Sequence, residues 1–229
     1  MPKITDRCYE TSRHTCFICD FSPSRSGEAE LMNQAIINAD FISVAYNPGR
    51  SVRVSAPMLA AAIKQRVGKD VVFTLATRDM NKLAIQSQIL GAQVLGLENL
   101  IVVQGDPFSQ QDLTLVKAVG DYRPTELISA ITQMNHGIDF RDSKLRAPTD
   151  FCVGATVDLG RGAQNEARLV HHKIKSGAQF LITQPIFNPK VAHQFLEAYA
   201  EYASNQLTVP IFLGLQLLEP DGVIFASVP

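Results

Sequence analysis

Seven short runs of nearly continuous apolar residues punctuate the chain: T-C-F-I-C-D-F (15–21), F-I-S-V-A-Y (41–46), D-V-V-F-T-L-A-T (70–77), N-L-I-V-V-Q-G-D (99–106), F-C-V-G-A-T-V-D (151–158), F-L-I-T-Q-P (180–185) and P-I-F-L-G-L-Q (210–216). Most do not alternate with polar residues, which marks strands covered on both faces, as in parallel sheets. Helical patterns lie between them. A-P-M-L-A-A-A-I-K-Q-R-V (56–67) has Pro57 at a helix start. N-K-L-A-I-Q-S-Q-I-L-G-A (81–92) places Leu83, Ile85, Ile89 and Leu90 at helical spacing, with Gly91 near its end. E-A-R-L-V-H-H-K-I-K-S-G-A (166–178) ends in the same way at Gly177, and V-A-H-Q-F-L-E-A-Y-A-E-Y (191–202) consists of good helix formers. Strand starts lie about 26 to 30 residues apart with one gap of about 50, the size that a strand, crossover helix and parallel strand require. The stretch 134–150 reads as a long loop before the fifth strand.

This series is α/β and predicts a (β/α)8 TIM barrel or a doubly wound sheet. The barrel is favoured, because no G-x-G-x-x-G follows the first strand and no G-x-x-x-x-G-K-[ST] occurs anywhere. No linker or repeat divides the sequence, so residues 1–229 are expected to form one domain. An eighth strand is not visible after the seventh, so the expectation is a partial barrel lacking its last strand and helix, from a longer protein.

Composition narrows the function. Of 229 residues, 46% are apolar, and 21 basic against 22 acidic side chains leave a net charge of -1, which gives no basic excess for nucleic acid or an acidic membrane surface. No leader and no apolar run of about 18 residues is seen, so the chain reads as soluble and cytoplasmic. Cys8, Cys16, Cys19 and Cys152 lack disulfide-framework spacing. On a strand, Cys16 and Asp20 would share one face and Cys19 the other, so this C-x-x-C is read as a buried structural pair and no metal is expected.

In a barrel the reacting groups stand at the C-terminal ends of strands. The polar residues there are Asp20, then Tyr46 and Asn47, then Thr74, Thr77 and Asp79, then Gln104 and Asp106, then Thr156 and Asp158, then Thr183 and Gln184, then Gln216. The set mixes amides with a few carboxylates and contains no histidine. It suits a neutral heteroaromatic substrate with hydrogen-bonding edges better than a phosphate-rich one.

The same residues resemble a family. D-F-S-P-S-R, S-V-A-Y-N-P-G, E-N-L-I-V-V-Q-G-D-P, K-S-G-A-Q-F-L-I-T-Q-P-I-F and V-P-I-F-L-G-L-Q occur in the order and spacing of methylenetetrahydrofolate reductases. The resemblance implies a flavin-dependent barrel in which NAD(P)H reduces FAD, and the flavin reduces 5,10-methylenetetrahydrofolate to 5-methyltetrahydrofolate. It places the general acid at Asp20, where the family has glutamate, and pterin contacts at Asp106 and Gln184. Its flavin positions fall on Ala45, Thr74, Gly105, Asp106, Ala155, Thr156 and Lys173. Several depart from the family: Ala45 replaces threonine, Thr74 histidine and Thr156 tyrosine, and Gln104 replaces the arginine before Gly105. Gly160-Arg161-Gly162 is read as a plain loop, with a pyrophosphate cradle as the alternative. The implied partners are a tetrahydrofolate derivative and a nicotinamide dinucleotide, with a homo-oligomer or partner subunit left open. Methyl transfer on the same pterin pocket, or a non-catalytic folate-binding subunit, are the alternative functions.

Overall fold

The computed structural model describes residues 2–10 and 15–216. It is an α/β fold of the (β/α)8 barrel class, with seven parallel strands among the described residues. The strands are β1 (Ile18–Phe21), β2 (Phe41–Val44), β3 (Asp70–Ala76), β4 (Asn99–Val103), β5 (Cys152–Val157), β6 (Phe180–Pro185) and β7 (Ile211–Gly214). The helices are α1 (Ile4–Glu10), α2 (Ala56–Val67), α3 (Lys82–Val94), α4 (Pro124–Asn135), α5 (Ala163–Lys175) and α6 (Pro189–Ala203). The chain divides into two compact units, Met1–Val153 and Gly154–Pro229, with the boundary inside β5. No helix among the described residues is long and apolar enough to cross a membrane.

In the first unit, β1 to β4 pair in sequence order, all parallel. Every residue of β2 is buried, as are Val71–Ala76 of β3 and Asn99–Val102 of β4, which is why their sequences run apolar without alternation. Helix α2 spans the predicted residues, with Pro57 in its first turn and Gly68 at φ 69° closing it. In α3, Asn81 caps the start by accepting from the Ala84 amide. Gly91 does not end that helix; the turn out of it comes at Gly96, φ 72°. Helix α4 was not expected. Leu127, Ile128, Ile131 and Met134 form its buried stripe, and the Glu126 carboxylate accepts the Arg123 amide at 2.7 Å. Between β1 and β2 the connection holds a short 3₁₀ segment, Ala29–Ala35, in place of a full helix.

Strand β1 begins at Ile18, later than expected, because the Phe17 amide turns to the Asp40 carboxylate (2.8 Å). Helix α1 packs at the start of β4. Buried Asn99, the first residue of β4, accepts from the Ile4 amide at 2.9 Å and donates to the Pro2 carbonyl at 3.1 Å. Lys3 pairs with Asp150. The Cys16 thiol hydrogen-bonds Cys8 of α1, not Cys19, and burial chiefly pushes it up to about 12. Cys16 and Cys19 are each half-buried, so they are neither the buried pair nor the strand-mates that the alternation implied.

In the second unit β5, β6 and β7 pair in parallel. Gly177 (φ 114°) ends α5 as expected, and Asn188 and Pro189 open α6. Phe180 is fully buried and meets Phe212 edge-on at 6.3 Å. Its ring lies over Gly154, where a Cβ would come within 2.2 Å of it. Gly154→Ala therefore overpacks this core and costs about 1–3 kcal/mol, roughly 2–12 °C in thermal midpoint. Trimming the ring in Gly154→Ala/Phe180→Leu should return part of the loss. A single variant that melts like the parent protein would contradict this packing.

Candidate functional site

In the first unit, the C-terminal ends of β2, β3 and β4 carry a cluster centred on Arg78. Its guanidinium forms a two-pronged pair with Asp79, Nε to Oδ1 at 2.6 Å and Nη2 to Oδ2 at 2.8 Å. Nη1 donates to the Asp106 carbonyl at 2.7 Å, and the guanidinium carbon lies 4.2 Å from the centre of the Phe108 ring. Arg78 is only 9% exposed. Burial works against the charge of Asp79, but hydrogen bonds from Arg78 and Tyr46 outweigh it and hold the carboxyl below the ordinary range. Burial, then the charge of Asp79, pushes the Tyr46 phenol well up, so it stays a donor. A lowered carboxyl lends stability that is complete above its unfolded pKa of about 4 and is lost as pH falls further.

The loop after β4 rests on this arginine. Gly105 takes φ 85°, and a Cβ there would stand 3.3 Å from the Arg78 Cβ and 3.4 Å from the Ala76 Cβ. A second arginine supports the next residue, with Arg50 Nη1 donating to the Pro107 carbonyl at 3.1 Å and Nε 3.3 Å from Asp112. A third, Arg53, donates to the Pro23 carbonyl at 2.8 Å and ties down the loop after β1. Asp20 is exposed, third in β1 and paired in register with Ser43. Ala45 follows β2, its amide bonded to the Phe21 carbonyl at 3.1 Å. Thr74 is buried within β3, and the Asp106 side chain is exposed. A cavity of about 470 Å³ opens beside α2, lined among others by Phe21, Pro23, Met32, Arg53 and Arg66, and Asp20 is not in its wall.

In the second unit Lys173 and Thr156 come together. The Lys173 ammonium donates to the Thr156 carbonyl at 2.6 Å and lies 3.4 Å from Glu166 Oε1. Both charged side chains are buried. Burial draws the Lys173 ammonium below its ordinary range against the pull of Glu166. Glu166 Oε1 also accepts from the Asp158 amide at 3.1 Å, while Oε2 is buried without a hydrogen-bond partner. Ala155 is fully buried. In the Gly160–Gly162 turn, Asp158 takes both the Gly160 amide (3.1 Å) and Arg161 Nε (3.0 Å). Gln184 is exposed beside a break in register between β6 and β7, where Thr183 Oγ1 donates to the Gln184 carbonyl (2.7 Å) and accepts from the Gly214 amide (2.8 Å). A smaller apolar cavity of about 290 Å³ is lined by Thr183, Phe195, Leu213 and neighbouring residues. Among the described residues no group of three or more metal-ligating side chains could hold an ion.

Sequence reading passed over Arg78 and Glu166. The signal for Arg78 was the T-R-D step straight after an apolar strand; for Glu166 it was the spacing of seven to Lys173, two turns along one helix face.

The family profile described as methylenetetrahydrofolate reductase matches residues 12–219. Methylenetetrahydrofolate reductase 2 of Schizosaccharomyces pombe (strain 972 / ATCC 24843) is 20% identical over 195 residues, which cover 80% of this chain and 28% of that protein. The chain thus spans under a third of that relative's length. A Clostridium thermocellum protein described as binding two copies of 5-methyl-5,6,7,8-tetrahydrofolic acid superposes with a TM-score of 0.62 at 14% identity, over 90% of this chain and 68% of that one. A 2,3-dimethylmalate lyase of the PEP mutase/isocitrate lyase superfamily gives 0.55 at 11% identity, over 93% and 80%. These likenesses show the shared barrel fold.

The buried pair yields a test. Lys173→Met leaves the Glu166 charge without its cation and should cost about 3–5 kcal/mol. Lys173→Met/Glu166→Leu should regain most of that in denaturant unfolding. A single variant as stable as the parent protein would show that the pair does not support the second unit.

Proposed function

The chain belongs to the methylenetetrahydrofolate reductase family, and from that premise we propose that it reduces 5,10-methylenetetrahydrofolate to 5-methyltetrahydrofolate with NAD(P)H as the hydride source. The observation that carries the reading is Asp20, an exposed carboxyl in β1 among Ile18, Cys19 and Phe21, where the resemblance would put the family's acid. The ring that joins N5 and N10 of the substrate must open before reduction. Asp20 gives a proton to N10, the C–N10 bond breaks, and an N5 iminium remains. Hydride from the reduced nicotinamide then adds to the methylene carbon, leaving oxidised dinucleotide and the N5-methyl product. Asp106 accepts hydrogen bonds from the pterin ring, and the Gln184 amide pairs with its edge as donor and acceptor.

Most of the seven positions that the resemblance assigns to FAD offer the cofactor no free polar side chain. Ala45 and Ala155 offer no polar side-chain atom, and Thr74 is buried. Lys173, the cation retained for the cofactor, is enclosed between Glu166 and the Thr156 carbonyl. A buried carboxylate beside that ammonium also disfavours a pyrophosphate. Hydride therefore passes from the nicotinamide to the folate directly, and the protein is expected to emerge from purification without flavin absorbance bands.

Folate-dependent oxidation of NAD(P)H, with 5-methyltetrahydrofolate titration in parallel, tests the assignment. Asp20→Asn should lose about 10²–10⁴-fold in turnover while folate affinity changes little. Turnover unaffected by Asp20→Asn would remove the acid from its role. Folate binding with no turnover in the unmodified protein would favour a binding subunit, and absence of folate binding would overturn the whole reading.

A further inference from the structure

We infer that Arg78 is a positioning residue for pterin recognition, acting through Asp106; this rests on the reading of Asp106 as a pterin contact. Three sides of the guanidinium are engaged. Asp79 takes one edge, the Asp106 carbonyl takes Nη1, and Phe108 covers a face. The base of the side chain serves too, since the left-handed turn at Gly105 is packed down onto the Arg78 Cβ. The main chain of residues 105 and 106 is thus fixed from below, and the ring of residue 108 from beside. With its carbonyl held and the preceding turn packed, Asp106 sends its Cβ in one direction, and its exposed carboxyl is presented from a rigid base.

Asp79 and Tyr46 act one step further back. Asp79 anchors the fork of Arg78, and Tyr46 donates to Asp79, so the ends of β2, β3 and β4 are joined in one hydrogen-bonded group. Lysine cannot reproduce it. Its ammonium has three donors but no planar fork, so it cannot hold a carboxylate in two prongs, reach the carbonyl and stack on a ring together.

A double-mutant cycle on the intact chain, read as the dissociation constant for 5-methyltetrahydrofolate, separates positioning from general support. Arg78→Gln should weaken binding about tenfold or more, equivalent to about 1.4 kcal/mol. In the Asp106→Ala background, where no carboxyl is left to orient, the same change should weaken it less than about twofold. Equal losses in both backgrounds, or no loss in the first, would overturn the inference. Should Arg78→Gln not fold, Arg78→Lys carries the same cycle, because it keeps the stem against Gly105 and loses the fork. If the unmodified protein fails to bind folate, the reading of Asp106 falls and this inference with it. If it binds and the cycle is additive, only the role of Arg78 is lost.

Discussion

Loops at the ends of parallel strands expose main-chain carbonyls that no ladder can satisfy, and in the first unit arginines answer several of them. Arg53 reaches Pro23, Arg50 reaches Pro107 and Arg78 reaches Asp106. Each joins loops from different strands through one strong donor to a neutral acceptor, so a group from one part of the chain fixes the main chain of another. The exposed Asp106 carboxyl inherits its position from that arrangement. Without it, residues 105–108 would be a connection with one left-handed glycine and a proline and little else to define its path.

The second unit uses a costlier device. Lys173 and Glu166 are both withdrawn from water, and their attraction must offset two desolvation penalties. The Thr156 carbonyl and the Asp158 amide satisfy part of the remaining hydrogen-bonding capacity, yet Glu166 Oε2 is left without a partner. The gain is geometric. The end of β5 is tied to both ends of α5, through Lys173 to Thr156 and through Glu166 to Asp158, and the short turn between them is closed by Asp158.

Element type was legible where periodicity and punctuation agreed. Helix α2 had a proline at its start and a glycine at its end, and its limits match the sequence pattern. Helix α3 overran its expected end because Gly91 costs a helix only about 1 kcal/mol and stays in it when the flanking apolar face is buried. Helix α4 was hidden by a polar setting, since its four buried residues stand among polar or small neighbours that are exposed or half-buried. Among candidate site residues, position along the strands was legible and commitment was not. Nothing in the letters of Lys173 says that its ammonium turns inward, and an arginine after a strand reads as a surface residue until its partners are seen. The two cysteines misled for a related reason. Alternation holds only on a strand, and Cys16 precedes β1.

Guanidinium groups keep their charge through any pH that a folded protein meets, and peptide carbonyls do not titrate. Asp79, held below the usual carboxyl range, joins them as a constant. The scaffold under Asp106 is therefore a fixed-charge frame, insensitive to acidity across the neutral range. Any pH response of ligand capture on this loop must then arise in the ligand or in the groups that touch it, and not in the support beneath.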